Sequence, residues 1–239
     1  VIYGLISSYI VTQSRHDLDD FIKILEKQYE MYGCYPDSVG ADAGYGSYKN
    51  YQYLNEHNIK NFVKYLTWEG NVSGKRPSQY RINKDNTITC LKGNIGTIVS
   101  NPPSHPRKQN TVFYKIDGCN NCEYRDYCKR FMKDKTQNFK YFEVSQDLQN
   151  YIQEAEANLL SPEGIEMRVN RSSQVEGAFG VIKQDFMYER FRRTLLPKVS
   201  TEFMLVCLGY NIRKLFKFYS GKAKFEYWKA PVGLQPETF

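Results

Sequence analysis

Between Ser38 and Tyr65 a short run of small and apolar residues, Ser38-Val-Gly-Ala41, gives way to the glycine-broken segment Asp42-Ala-Gly-Tyr-Gly46. A polar helical stretch over 48–57 follows, and then the β-prone run Asn61-Phe-Val-Lys-Tyr65. Strand, helix and strand in such close succession read as neighbours in an α/β sheet joined by a crossover helix. The coarse order along the chain extends that pattern. It predicts a strand over 1–12, helix 17–32, strand 38–42, helix 48–57, strand 60–65, a long irregular region over 66–145, a long or broken helix over 146–187, and a last helix over 201–219.

Asp42 stands where the first buried strand ends, and a carboxylate at the C-terminal end of such a strand projects into the crevice where open α/β sheets place their chemistry. A second acid, Glu176, lies in a helical reading in which Val175, Phe179 and Ile182 share one face. Glu176 neighbours that stripe, so partial burial is expected. A carboxylate facing a core is costly unless it is paired, hydrogen-bonded or metal-bound. Magnesium or manganese suits two such groups, since phosphodiester cleavage by paired metals uses hard oxygen ligands holding the ions about 3.5–4 Å apart. The plainer alternative is that Asp42 caps the following turn and Glu176 pairs with a lysine.

The Ala41-Asp-Ala-Gly-Tyr-Gly-Ser47 run, followed by Asn50-Tyr-Gln-Tyr-Leu-Asn-Glu56 and Asn61-Phe-Val-Lys-Tyr65, resembles the second-aspartate segment of bacterial insertion-sequence transposases of the DDE class. Gln174-Val-Glu-Gly-Ala-Phe-Gly180 with Lys183, then Phe191-Arg-Arg193, Lys198-Val-Ser-Thr-Glu202 and Tyr210-Asn-Ile-Arg-Lys214, resembles the glutamate segment and C-terminal helix of the same family. The resemblance runs nearly end to end. It implies a ribonuclease-H-like α/β fold in which two aspartates and a glutamate hold two magnesium or manganese ions that cut and rejoin DNA ends. Asp42 would be the second acid and Glu176 the third, with Lys183 on a DNA phosphate. The first acid is expected upstream of Val1, so the chain reads as N-terminally truncated and this copy as inactive.

Two acids within the chain read as structural: Asp17 as the N-cap of the first helix, and Asp37 in the turn after Pro36. Where relatives carry a tyrosine and an arginine ahead of the glutamate, this chain has Val169 and Ser172, with Arg168 and Arg171 displaced by one. The resemblance further implies double-stranded DNA as partner, both terminal repeats and target, a homodimer in an intact relative, and a bacterial cytoplasmic, nucleoid-associated setting. The rival readings are a zinc-stabilised DNA-binding module without catalysis and a metal-dependent nuclease or recombinase outside transposition.

At 239 residues and 41% hydrophobic content the chain can bury a real core. Its net charge of +7 is uneven, because residues 181–224 hold ten Lys or Arg against three acids. Lys183, Arg190, Arg192, Arg193, Lys198, Arg213 and Lys214 are the expected DNA contacts, with Lys217, Lys222 and Lys224 beside them. Phe186, Tyr188, Phe191 and Phe218 are interleaved and could stack on unpaired bases; a solvated helix face is the alternative. Phe203, Met204, Val206, Cys207, Tyr210 and Leu215 read as the buried stripe of the last helix. The opening residues resemble a strand more than a signal peptide, and nothing approaches the roughly 18 consecutive apolar residues of a membrane span.

Three divisions are expected: a ribonuclease-H-like core over 1–65, a β-rich, cysteine-containing insertion over 66–145, and C-terminal helices over 146–239. The insertion has β-prone runs at Gln79–Ile82, Thr87–Leu91 and Thr111–Ile116. It also has four of the six cysteines: Cys90, Cys119, Cys122 and Cys128. Two thiolates separated by two residues can converge on one tetrahedral ion, which would give this loop-rich piece a core. Zinc is the preferred reading, with free thiols or disulfides the alternatives. Cys34 and Cys207 read as ordinary buried residues.

Overall fold

The computed structural model describes residues 4–14, 17–75, 77–100 and 110–221. Helix α1 spans Asp20–Tyr32, strand β1 Ser38–Ala41, helix α2 Tyr48–Glu56 and strand β2 Lys60–Val63. β1 and β2 pair in parallel, Ser38 opposite Lys60 and Ala41 opposite Val63, with α2 as the crossover. Ser47 caps α2 by accepting from the Asn50 amide at 3.2 Å. Gly46 allows the chain to turn there, since a Cβ on it would stand 2.5 Å from the Lys64 carbonyl. Phe21, Leu25, Tyr51, Leu54, Phe62, Val63 and Trp68 fill the core beneath this unit.

The region expected to be irregular carries a five-stranded sheet. After a short helix α3 (Trp68–Ser73), strands β3 (Tyr80–Ile82), β4 (Ile88–Cys90), β5 (Ile95–Ile98), β6 (Thr111–Asp117) and β7 (Phe139–Ser145) form one antiparallel sheet in sequence order, with helix α4 (Arg125–Cys128) between β6 and β7. Ile88, Tyr114, Ile116, Phe142 and Val144 are its core. Runs 79–82, 87–91 and 111–116 correspond to β3, β4 and β6. β5 and β7 have weaker apolar alternation and take their register from their partners.

Ser145 ends β7 and caps helix α5 (Gln146–Leu160). The helical stretch expected over 146–187 breaks at Ser161, where Pro162 opens helix α6 (Pro162–Gly180) and the Ser161 hydroxyl accepts from the Gly164 amide at 3.1 Å. α6 continues into a π-helical turn over Val181–Asp185, closed by Phe186 donating to the Val181 carbonyl. Helix α7 runs from Leu196 to Tyr219, beginning five residues before the expected start because Pro197 is accommodated in its first turn.

Several expectations are corrected. Over 4–12 there is an isolated bridge at Leu5 and no strand, and residues 1–3 lie outside the described set. Side chains of α7 satisfy this backbone instead: Ile6 exchanges two 2.9 Å hydrogen bonds with the Asn211 carboxamide, and Tyr210 donates to the Gly4 carbonyl. Asp17 opens a 3-10 turn, so the N-cap position of α1 falls on Asp19, which makes no side-chain cap. On α7, Cys207 and Tyr210 are buried, while Met204 and Leu215 are exposed. Cys34 is also exposed, on the loop beyond the left-handed Gly33. No helix among the described residues is long and apolar enough to cross a membrane.

Candidate functional site

Asp42 directly follows β1 with extended backbone, at the position before a 3-10 turn over Ala43–Tyr45 whose amides its side chain does not cap. α6 packs against β1 and β2, bringing the helix that carries Glu176 to the sheet that carries Asp42. Met167 fills the close approach: a Cβ on Gly40 would meet its Cγ at 3.0 Å.

Asp42 is engaged by Arg171, five residues before Glu176 on α6. Its guanidinium donates to both oxygens of Asp42, at 2.7 and 2.6 Å, in a fork-to-fork geometry. Asp42 is therefore neither a turn cap nor an open carboxylate. Glu176 accepts at one oxygen from the Ser172 hydroxyl at 2.9 Å and forms no ion pair with a lysine among the described residues. It is exposed, against the expectation of partial burial. Phe179 of the supposed buried stripe is also 52% exposed, and only Ile182 is fully packed, against Tyr210 and Ala178. The stripe reading fails because the helix uses more than one face, Met167 toward β1, and Ala178, with Ile182 of the following turn, toward Tyr210 of α7. Asp37 is an exposed turn residue whose carbonyl accepts from the Lys60 amide.

A pair of hard divalent ions does not fit the carboxylates as they stand. Both oxygens of Asp42 are taken by Arg171, and among the described residues no group of three or more His, Cys, Asp or Glu is arranged to hold a metal ion. Any ion reaching Asp42 must displace the guanidinium. Arg171→Ala is therefore expected to raise manganese affinity about 2- to 5-fold, the scale of an exposed ion pair, measured by the paramagnetic resonance signal of free manganese. Unchanged affinity would show that the fork does not compete with metal.

The displaced arginines thus divide their roles. Arg168, partly buried, lies over the buried Trp68 ring, 5.3 Å from its centroid, while Arg171 is held on Asp42. Neither offers a free guanidinium to a phosphate in this arrangement. The sequence signal for Arg171 was its displacement by one position, which puts it in reach of the strand end.

Lys183, Arg190, Arg192, Arg193 and Lys198 are all exposed and form no ion pair among the described residues. The amides of Arg192 and Arg193 donate to the Glu202 carboxylate at 2.9–3.2 Å, which fixes the segment before α7. These bonds hold the Glu202 pKa below the usual carboxylate value although burial opposes them. Phe191, Tyr188 and Phe203 pack edge to face beside these arginines. Arg213 departs from expectation, being paired to Asp185 at 2.6 Å with its guanidinium over Phe186. Lys214 is half-buried, and burial pushes its pKa down, as does neighbouring Lys217. Lys222 and Lys224 lie outside the described residues.

Cys90 on β4, Cys119 and Cys122 on the loop after β6, and Cys128 on α4 line a single cavity, together with Lys129 and Lys140. All four are free thiols. Burial pushes the thiols of Cys119 and Cys128 up, while the Lys140 charge pulls both back and that of Lys129 pulls back Cys119.

Residues 89–216, more than half of the chain, match the family described as Transposase DDE domain. The chain belongs to this family. The matched span of the DDE domain takes in Glu176, Lys183, the basic segment before α7 and all four clustered cysteines, and it begins after Asp42. Neither a curated protein nor a solved structure matches the chain. Membership gives the DDE domain a role in transposition and DNA as the substance it acts on, and DDE transposase domains generally use divalent metal ions.

Proposed function

We propose that this DDE domain takes part in cutting and joining DNA ends, with Asp42 and Glu176 as two of the carboxylates for a pair of magnesium or manganese ions. The observation that carries the reading is that α6, which bears Glu176 inside the family match, delivers Arg171 to both oxygens of Asp42. A guanidinium on a carboxylate occupies the place a cation would take.

The chain's own residues then have distinct tasks. Arg171 holds Asp42 in position and screens it until DNA or metal draws the guanidinium away. Ser172 orients Glu176. Lys183, Arg190, Arg192, Arg193 and Lys198 present positive charge to the phosphate backbone, and Phe191 offers a ring to an unpaired base at a cleaved end. A ribonuclease-H-like arrangement is the fold this reading requires, and β1, α2 and β2 supply a parallel crossover unit that suits it. Double-stranded terminal repeats and target DNA are the proposed partners, engaged by a homodimer at the nucleoid of a bacterial cell.

A second reading, DNA binding without chemistry, is favoured by one observation: the described residues bring no third acid to Asp42 and Glu176. Magnesium- and manganese-dependent nicking of supercoiled plasmid separates the two, with the chain compared to an Asp42→Ala, Glu176→Ala double variant. Nicking by the parent that the double variant loses supports the catalytic reading. DNA retention by both without nicking leaves only the binding one, and equal nicking by both overturns the assignment of these acids.

A further inference from the structure

We infer that Cys90, Cys119, Cys122 and Cys128 form a tetrathiolate zinc site whose negative charge is balanced by the ammonium groups of Lys129 and Lys140. The inference is independent of the transposition chemistry.

Three separate pieces of chain bring these residues to one cavity, Cys90 packing beside the sheet core and the other two pieces shaped by polar and conformational constraints. At Cys90 the chain reverses, the Gly93 amide donating to the Cys90 carbonyl at 2.9 Å with Gly93 at φ +92°. The Cys119–Cys122 loop is entered through Gly118 at φ +80° and passes through Asn121 at φ +54°, conformations that suit glycine and asparagine. Arg125 then ties the loop down by donating to the carbonyls of Cys119, Lys135 and Thr136. This scaffold holds four thiols around one cavity, which Ile116 and Phe142 also line.

The lysines supply the second argument. Lys129 is 1% exposed and its ammonium reaches the Gln137 carbonyl; that of Lys140, half-buried, reaches the Cys128 carbonyl and Gln79. Neither forms an ion pair among the described residues. Asp134 is close enough to feel the Lys129 charge, but it sits on the exposed turn, where it accepts from the Thr136 amide and hydroxyl. A buried ammonium without a counter-charge is costly. Four neutral thiols do not offset it. Zinc binding does: four thiols release four protons to solvent, and one Zn2+ held by four thiolates carries two net negative charges against two lysines. Among the described residues the four sulfurs are not arranged to hold an ion, so metal entry would have to draw them together, to Zn–S distances of about 2.3 Å.

Metal analysis of the full chain after passage over a chelating resin tests this. One tightly held zinc per chain is expected, and cobalt substitution should give the sulfur-to-cobalt charge-transfer band and strong visible bands of a tetrahedral thiolate site. Cys122→Ser should lose the metal and Cys34→Ser keep it. Because Cys122→Ser could fail by misfolding, Lys129→Met provides a second arm: full zinc stoichiometry with affinity for the metal about 10-fold weaker in competition with a chelator. A metal-free parent chain, a disulfide between any two of the four cysteines, iron in place of zinc, or unaltered affinity in Lys129→Met would each overturn the proposal.

Discussion

Gly164→Ala is expected to destabilise the chain by about 3 kcal/mol or more, at the upper end of what overpacking costs. The reason is the corner between α5 and α6. A Cβ on Gly164 would stand 2.0 Å from the carbonyl oxygen of Asn158 and 2.8 Å from the Leu159 Cα, both backbone atoms that cannot swing aside. Leu159 is fully buried, so the corner can open only by withdrawing it from the core. α6 would then move off β1, and Arg171 would lose its register on Asp42. Denaturant unfolding measures the loss. Gly177→Ala is the control of opposite sign, since a Cβ there meets nothing within 4 Å and the residue is exposed in the helix interior. It should stabilise by about 0.5–1 kcal/mol. Equal effects at the two glycines would show that the corner is looser than described.

The second large effect concerns DNA. With Arg190, Arg192, Arg193 and Lys198 all changed to Gln, affinity for duplex DNA should fall steeply, and the dependence of log K on log salt should flatten by about 3–4. These side chains are exposed and form no ion pair among the described residues, the Arg193 charge only acting on the nearby Glu202, so their removal leaves no buried group unpaired. Folding stability should therefore change little. Arg213→Gln is expected to behave differently, because its guanidinium is already held by Asp185 and Phe186. Its loss should leave the salt slope almost unaltered. Fluorescence anisotropy with a labelled duplex across a salt series reads both. A quadruple variant with the parent's slope would remove this segment from the DNA interface.

The parallel unit β1-α2-β2 was legible from sequence because every local signal agreed. Small apolar residues before Asp42, glycines at the turn, Ser47 as a cap and a second β-prone run all favoured one answer. The antiparallel sheet was half legible. β3, β4 and β6 announced themselves, whereas β5 and β7 owe their place to pairing with β6, a contact that local composition does not encode. Residues 4–13 have strand composition but form only an isolated bridge at Leu5, and Asn211, some two hundred residues away, takes the hydrogen bonds of Ile6 that a strand neighbour would have given. At the site, Asp42 and Glu176 could be picked out by type and position. Arg171 could not be assigned its partner, since that depends on how α6 crosses β1. The exposure of Glu176 was misread for the same reason: periodicity locates a helix face but not the element it meets. Lys129 and Lys140 carried no signal at all until their burial beside the thiols was visible.

The bonds from Gly4, Ile6 and Tyr9 to Tyr210, Asn211 and Ser200 also impose an order of assembly. A growing chain releases this opening segment long before α7 exists to receive it. Closing so long a loop adds little to the final free-energy cost, which rises only with the logarithm of its length. In time it adds a great deal, because distant contacts form late. Tyr32 and Lys27 can hold Ser7 and Tyr9 early, but the amide and carbonyl of Ile6 must wait for Asn211, an interval in which an exposed segment can be trapped by another chain.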